Sequence, residues 1–450
     1  MKMPLKPPRL NPQVRVGTEA IVSLRVHEVV FSGRVGPTDG GRYRHWDTLR
    51  HLVPPQGLSS EVWWLATRAV RAQISRRLPL TDANGMFLTI SFPDPALEML
   101  MRVDQQGSGR IQAPEAVTNP ATRDRYLVNS LMEEAIRSSQ LEGAATTRKV
   151  AKEMLRSGRE PHDRSERMIL NNYRAMQYIR AHVADALTPE RVLELHRIVT
   201  DGTLDDPADA GRLQTPDEER IKIYWDNAVL IYEPPPAEQL IDRLAAMCEF
   251  ANGGGEVEGF LHPVARAILV HFWLAYDHPF VDGNGRTARA LFYWTMLSQG
   301  YWLAEYLPIS NIIRESPVRY TKSFLYVETD DGDTTYFVLS QLRILCRAID
   351  ELHAYLERKG GQVREVEAVL RRTPGFNHRQ IALLAHALRD GGAEYTFASH
   401  RNSHGVVYQS ARTDLLELER KNLLLRTKRG KTYVFYPPPD LDRRLKALAS

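Results

Sequence analysis

The stretch PVARAILVHFWLAYDHPFVDGNGRTARALFYWTML, Pro263 to Leu297, places two apolar helical patterns on either side of a short loop. In both halves the apolar residues recur at the spacing of a helix rather than alternating as in a strand. Between them, HPFVDGNGRTAR, His278 to Arg289, sets an acid, Gly-Asn-Gly and two arginines behind one histidine. Gly283, Asn284 and Gly285 come immediately before the second helix, whose first turn has unpaired N–H groups and the positive end of the helix dipole. Glycine allows left-handed backbone and close approach to a ligand, so the loop reads as a cradle for phosphate.

The surrounding side chains fit the same reading. Arg286 and Arg289 are three apart and can project from one turn, and guanidinium forks match phosphate oxygens. Two of them imply a polyphosphate. Asp282 is a hard oxygen ligand suited to Mg²⁺, which bridges phosphates through one or two carboxylates and several waters; ATP is then the economical substrate. His278 is placed to take a proton from an incoming hydroxyl as a general base, and Phe280 turns inward to anchor the loop. Taken singly, His before Pro is a structural histidine, Asn-Gly a turn and the arginines a solvated helix face. One phosphate site accounts for all of them in order.

Outward from this loop, residues from about 125 to 355 read as almost continuous helices: YLVNSLMEEAIRSSQ, TTRKVAKEMLRSG, RSERMILNNYRAMQYIRAHVA, LTPERVLELHRIV and AEQLIDRLAAMCEFAN precede the pair already quoted. One segment breaks the pattern. RIKIYWDNAVLIYEPPP, Arg220 to Pro236, alternates around Asp-Asn and predicts a β-hairpin stopped by prolines. Near the N-terminus, VRVGTEAIVSLRVHEVVFSG alternates and reads as one or two strands, and a helix is expected after Ser59-Ser60 with Val62, Leu65, Ala69 and Ile74 on one face. Towards the C-terminus, RQIALLAHALRD and VVYQSARTDLLELERKNLL predict two helices, and LLLRTKRGKTYVFYPPP a hairpin around Arg429-Gly430. Helix, helix and basic hairpin is the order of a winged helix.

Composition sets the class. The longest apolar run, AILVHFWLAY, is too short to span a bilayer and contains a histidine; no membrane association is expected. The N-terminus has no apolar run after its basic residues, and two cysteines form neither a disulfide framework nor a metal-ligand spacing, so the expected compartment is the cytoplasm. Residues 361–450 hold 16 Lys and Arg against 9 Asp and Glu, whereas the whole chain holds 59 against 55. The basic excess is therefore C-terminal, which points to a polyanionic partner or to a solvated basic face.

HPFVDGNGRTAR resembles, at each defining position, the signature of the Fic family, His-x-Phe-x-Asp/Glu-Gly-Asn-Gly-Arg-x-x-Arg. ADAGRLQT with Arg212, the helix containing His271 and the hairpin from Ile221 to Tyr232 are similar to other parts of its core. The resemblance implies transfer of AMP from ATP to a protein hydroxyl. His278 would activate the hydroxyl, Asp282 would hold Mg²⁺, Gly283, Asn284 and Gly285 the α- and β-phosphates, and Arg286 and Arg289 the outer phosphates. A related branch that transfers phosphate has Lys where Gly285 stands. The hairpin would be a flap that pairs with an extended target segment, with Ile221, Ile223, Val229 and Ile231 as its candidate contacts.

SSQLEG, Ser138 to Gly143, is similar to the family's inhibitory motif Ser/Thr-x-x-x-Glu-Gly/Asn. Ser138 and Glu142 share a face at the end of a helix, with Gly143 just beyond it. The resemblance implies that Glu142 forms a bidentate pair with Arg289 and withholds it from ATP. Because the motif precedes the core, the arrangement is that of the class with an N-terminal inhibitory helix.

The expected fold is therefore mainly α. It comprises an N-terminal α+β extension (1–120), a Fic-type helical bundle with inhibitory helix and β-hairpin flap (121–355), and a winged helix (362–440). The leading function is an autoinhibited protein AMP transferase acting on Ser, Thr or Tyr hydroxyls of a target protein or of itself; the oligomeric state, with a homodimer as one candidate, stays open, and the resemblance implies that a change of assembly can release the brake. Removal of AMP at the same site is a second reading. A third is a DNA-binding regulator with a nucleotide-sensing core, in which Gln409, Ser410, Arg412 and Thr413 face a groove and Arg426, Lys428, Arg429 and Lys431 meet phosphates.

Overall fold

A valine stripe overturns the first expectation. Residues expected as strands form helix α1 (Thr18–Phe31), because Val22, Val26, Val29 and Val30 also fall at helical spacing and bury one edge. That edge meets Val62, Trp63, Leu65 and Ala66 of α3 (Ser60–Ile74), beyond the short α2 (Trp46–Leu49). The β-branched content mimicked a strand, and packing selected the other period. Ser59 caps α3, its hydroxyl accepting from the Val62 N–H at 3.2 Å.

The computed structural model describes residues 3–9, 18–107, 120–220, 222–225, 229–255, 257, 259–372, 375–389, 392–430 and 432–447. Helices dominate, and the strands form three two-stranded sheets. The chain divides into two compact units, residues 1–112 with 127–350, and 113–126 with 351–450.

In the first unit, β1 (Arg76–Thr81) and β2 (Phe87–Ile90) pair antiparallel, with a register shift between Arg77 and Thr81. Pro79 lies inside that shift and has no N–H to give the ladder, which is why the segment does not read as a strand. Helix α4 (Asp94–Gly107) follows. The core helices are α5 (Pro120–Leu141), α6 (Arg148–Ser157), α7 (Arg164–His182), α8 (Pro189–Thr200), α9 (Leu240–Ala251), α10 (Pro263–Asp277) and α11 (Asn284–Ser298), with the hairpin β3 (Ile223–Trp225) and β4 (Val229–Tyr232) between α8 and α9. They are followed by α12 (Ile309–Glu315), α13 (Pro317–Thr329) and α14 (Thr335–Arg372). Helix α10 is buried along nearly its whole circumference, as befits the centre of a bundle.

The N-terminal region is fastened to this bundle. Buried His45 stacks on Tyr326 at 4.2 Å and meets Thr329 Oγ1 at 3.1 Å. Arg71 donates to the Tyr336 hydroxyl at 2.7 Å. Thr89 exchanges backbone hydrogen bonds with Gly332 and Thr334 at 3.0 and 2.8 Å.

The second unit contains α15 (His378–Arg389), α16 (Phe397–His404), α17 (Tyr408–Arg420), the hairpin β5 (Leu425–Arg429) and β6 (Thr432–Tyr436), and α18 (Leu441–Ala447). Tyr395 and Phe435 exchange both backbone hydrogen bonds at 2.8 Å. Leu383, Leu384, Leu415, Leu418 and Phe435 centre the core. Helix α16 is an addition to the two expected helices. Its eight residues are too short for periodicity to declare, yet its ends are marked: Thr396 and Ser399 form a capping box, and Gly405 closes it in left-handed conformation.

Candidate active site

The loop between α10 and α11 is built by its own side chains. His278 ends α10 at φ 45°, ψ 54°, its N–H donating to the Leu274 carbonyl at 2.9 Å. Gly283 sits at φ 87° before α11, and a Cβ there would lie 2.7 Å from the Thr200 methyl. Asn284 laces the loop shut: its Oδ1 accepts from Phe280 N–H at 2.9 Å and its Nδ2 donates to the Phe280 carbonyl at 2.8 Å. The same Nδ2 lies 3.2 Å from His278 Nδ1 and orients the ring. Phe280 is fully buried and stacks on His196 at 3.7 Å.

His196 of α8 fixes the other side of the loop. The Gly211 N–H donates to its Nδ1 at 3.0 Å, so the ring proton lies on Nε2, which donates to the Asp282 carbonyl at 2.8 Å. Arg220, at the root of the hairpin, donates to the carbonyls of Asp277, His278 and Pro235 at 2.6, 3.1 and 2.8 Å. Asp277 in turn pairs with buried Arg243 at 2.7 Å, and Arg243 also donates to the Thr81 carbonyl at 2.6 Å. Neither His196, Arg220 nor Arg243 carries a local sequence signal for this role, since their bonds to Asp282, Asp277 and His278 span 34 or more positions.

Burial depresses the ring pKa of three histidines here: His196 to about 4, His271 to about 3, and His278 to about 4, the last also through the nearby Arg220. At neutral pH all three are uncharged. The Asp282 carboxylate is about half exposed, with Oδ1 accepting from Gly283 N–H at 2.6 Å and Oδ2 3.4 Å from Arg286. Among the described residues no group of three or more His, Cys, Asp or Glu could enclose a metal ion.

The two arginines do not share one open face. Arg286 is buried, donating to the Val199 carbonyl at 3.0 Å. Arg289, 3% exposed, donates from Nε to Ser138 Oγ at 2.8 Å and from Nη2 to the Ser138 carbonyl at 3.1 Å and to Glu142 Oε1 at 2.8 Å. The pair expected as bidentate is therefore single. Ser138 occupies the Nε edge of the fork, so Glu142, with a third of its side chain exposed, takes one bond. Glu142 nevertheless covers the first turn of α11, because a Cβ on Gly285 would run into its carboxylate. Gly143, at φ 92°, turns the chain away, and Ala144 N–H donates to the Ser139 carbonyl at 3.0 Å. Behind the pair, a cavity of about 10 Å³ is lined by Glu134, Ser138, Asn172, Arg286, Arg289 and Tyr293. That is room for about one water.

Two further side chains belong to the surroundings. Tyr320 of α13 lies beside Arg289, and its hydroxyl is 2.9 Å from His271 Nε2. Arg212 pairs with Asp209 and Glu218 rather than entering the loop. In the hairpin, Tyr224↔Leu230 and Trp225↔Val229 are paired. Ile221 lies outside the described residues, as do the side chains of Ile223, Val229 and Ile231.

Residues 186–296 match the Fic/DOC family. The chain is 30% identical over 193 residues to a protein adenylyltransferase Fic of Drosophila grimshawi, covering 42% of this chain and 37% of the relative. It is 31% identical over 117 residues to the protein adenylyltransferase fic-1 of Caenorhabditis elegans, covering 26% and 20%. The chain thus spans less than half the length of these relatives. Among solved structures, a Fic family protein from Desulfovibrio desulfuricans G20 shares the fold with a TM-score of 0.52 at 18% identity, over 77% of this chain and 97% of that one. The described residues contain no helix long and apolar enough to cross a membrane. Residues 186–296, whose motif closes the loop just described, are therefore a domain of the Fic/DOC type within this chain.

Proposed function

We propose that this protein transfers AMP from ATP to a hydroxyl of a protein target or of itself, and that Glu142 restrains the reaction. The observation that carries the reading is the placement of neutral, buried His278 beside the glycine-opened N-terminus of α11, with Arg289 on that helix's first turns. A proton leaving the attacking hydroxyl needs an unprotonated ring nitrogen, which burial keeps available at neutral pH. The negative charge of a bound triphosphate would raise the ring's basicity towards the working range. The backbone N–H groups of Gly283, Asn284 and Gly285 face the phosphates in this reading, and Arg289 takes the terminal one once Glu142 lets go.

Asp282 fits a magnesium ion, being a single, half-exposed carboxylate of the kind that ion uses beside phosphates and waters. When bound, Mg²⁺ would neutralise phosphate charge; Asp282 would hold it. The β3–β4 hairpin supports a target in extended pairing, since Arg220 ties its base to the backbone of Asp277 and His278.

The test is transfer of α-phosphate label from ATP with Mg²⁺, comparing wild type, Glu142→Gly and Glu142→Gly/His278→Ala. Label that appears in the first variant and vanishes in the second supports transfer and brake together. If no variant is labelled while ATP still binds, transfer is wrong, and release of AMP from a labelled protein substrate becomes the assay.

A further inference from the structure

We propose that residues 375–447 form a winged-helix unit that binds duplex DNA, with the exposed face of α17 in the major groove and the β5–β6 hairpin against the flanking backbone. The order of elements is the required one. Helix α16 ends at left-handed Gly405, Val406 and Val407 make the turn, and α17 begins at Tyr408. A two-stranded hairpin follows directly, braced on Tyr395.

What separates this face from an ordinary solvated helix is where its acids go. Helix α17 contains Asp414, Glu417 and Glu419, and each is matched within the unit. Asp414 is buried and accepts from Asn377 Nδ2 at 2.7 Å and from Arg379 Nε at 2.7 Å, with His400 Nε2 at 3.1 Å. Glu417 accepts from Gln380 at 2.8 Å, and Glu419 pairs with Arg426 at 3.0 Å. The outward positions Tyr408, Gln409, Arg412 and Thr413 are exposed and free of acidic side chains. They lie at i, i+1, i+4 and i+5, one stripe of the helix. Arg and Gln are the side chains that read guanine and adenine edges, and a helix about 10–12 Å across fits a groove about 12 Å wide.

The hairpin adds cations of the right kind. Arg426, Lys428 and Arg429 are exposed, while Lys431 lies outside the described residues. Arg429 pairs with Glu394 at 2.8 Å with both partners exposed, a contact weak enough for phosphate to replace. A duplex is favoured over a protein partner because the stripe is polar and cationic in a segment with 16 basic against 9 acidic residues.

The experiment uses the full chain carrying His278→Ala, so that nucleotide chemistry plays no part, and a fluorescent mixed-sequence DNA duplex of about 30 base pairs at roughly 50 to 250 mM KCl. Anisotropy should show binding that weakens linearly in log salt. Arg412→Glu and Lys428→Glu should each weaken it by about 10-fold, and together lower the salt slope by about 2. Arg412→Gln, which removes the charge without reversing it, should weaken it less while the melting temperature is unchanged. The proposal is overturned by no binding at the lowest salt, by binding that ignores both charge reversals, or by single-stranded RNA of equal length outcompeting the duplex.

Discussion

Replacing Glu142 by glycine removes one carboxylate from Arg289 and leaves the rest of that arginine's environment in place, which makes the size of the brake calculable. The contact is a single 2.8 Å hydrogen bond between ions, Arg289 buried and Glu142 a third exposed. Hydrogen bonds to charged groups contribute about 1.5–3 kcal/mol. Exposure of one partner places this one at the low end. At about 1.4 kcal/mol per tenfold, Glu142→Gly should raise ATP affinity, and transfer at subsaturating ATP, by about 10-fold. A fully buried bidentate pair, at about 3–5 kcal/mol, would give more than a hundredfold. The substitution spares the helix end, since Glu142 lies one residue past α5 and its own N–H bond to the Ser139 carbonyl, 3.1 Å, does not involve the side chain. Titration with a non-hydrolysable ATP analogue measures affinity, and label incorporation measures transfer. Affinity within twofold of wild type in a folded variant refutes the brake; a gain of a thousandfold refutes the single-bond geometry.

Transfer should not show the usual histidine pKa: kcat/KM for ATP should stay level as pH falls through 6.5 and decline only towards about 4, the value burial gives His278, and a half-loss near 6.5 refutes the assignment. Folding stability should behave in parallel. His45, His196, His271 and His278 are all depressed by burial, to between about 3 and 4. The unfolded chain therefore takes up these protons first, and stability that is complete above about pH 6.5 is lost as pH falls towards 3–4, measured by urea midpoints. Asp277→Ala leaves Arg243 buried without its carboxylate and should cost about 3–5 kcal/mol by denaturant unfolding; a cost below 1 kcal/mol contradicts the burial of the pair. Gly283→Ala forces a side chain into left-handed backbone beside Thr200 and should cost about 1–3 kcal/mol in the same assay, whereas Gly253→Ala, with no atom near its Cβ, bears the backbone penalty alone.

The motif loop was legible because its chemistry is local: glycines, acid and arginines fall within twelve residues, and the helices on both sides have strong periods. The helical core from residue 125 was readable for the same reason. What sequence reading missed is long-range or ambiguous in period. The valines of α1 satisfy either spacing until α3 is placed against them, and β1 is disguised by Pro79. The sequence points to Asn284 through its backbone in the phosphate cradle; that its side chain also laces the loop, through two bonds to Phe280, is not encoded in the spacing. The geometry of Glu142 turned on Ser138 occupying one edge of the Arg289 fork, which spacing does not encode.

Arg243 has a consequence for how this protein can be dissected. One guanidinium grips both the Thr81 carbonyl and the carboxylate of Asp277, the residue preceding His278. The bounds of the Fic/DOC domain, 186 and 296, therefore cut through a mechanical unit. A fragment trimmed to them would keep the signature and lose the strut, and an inactive fragment would say nothing about the chemistry of the intact chain.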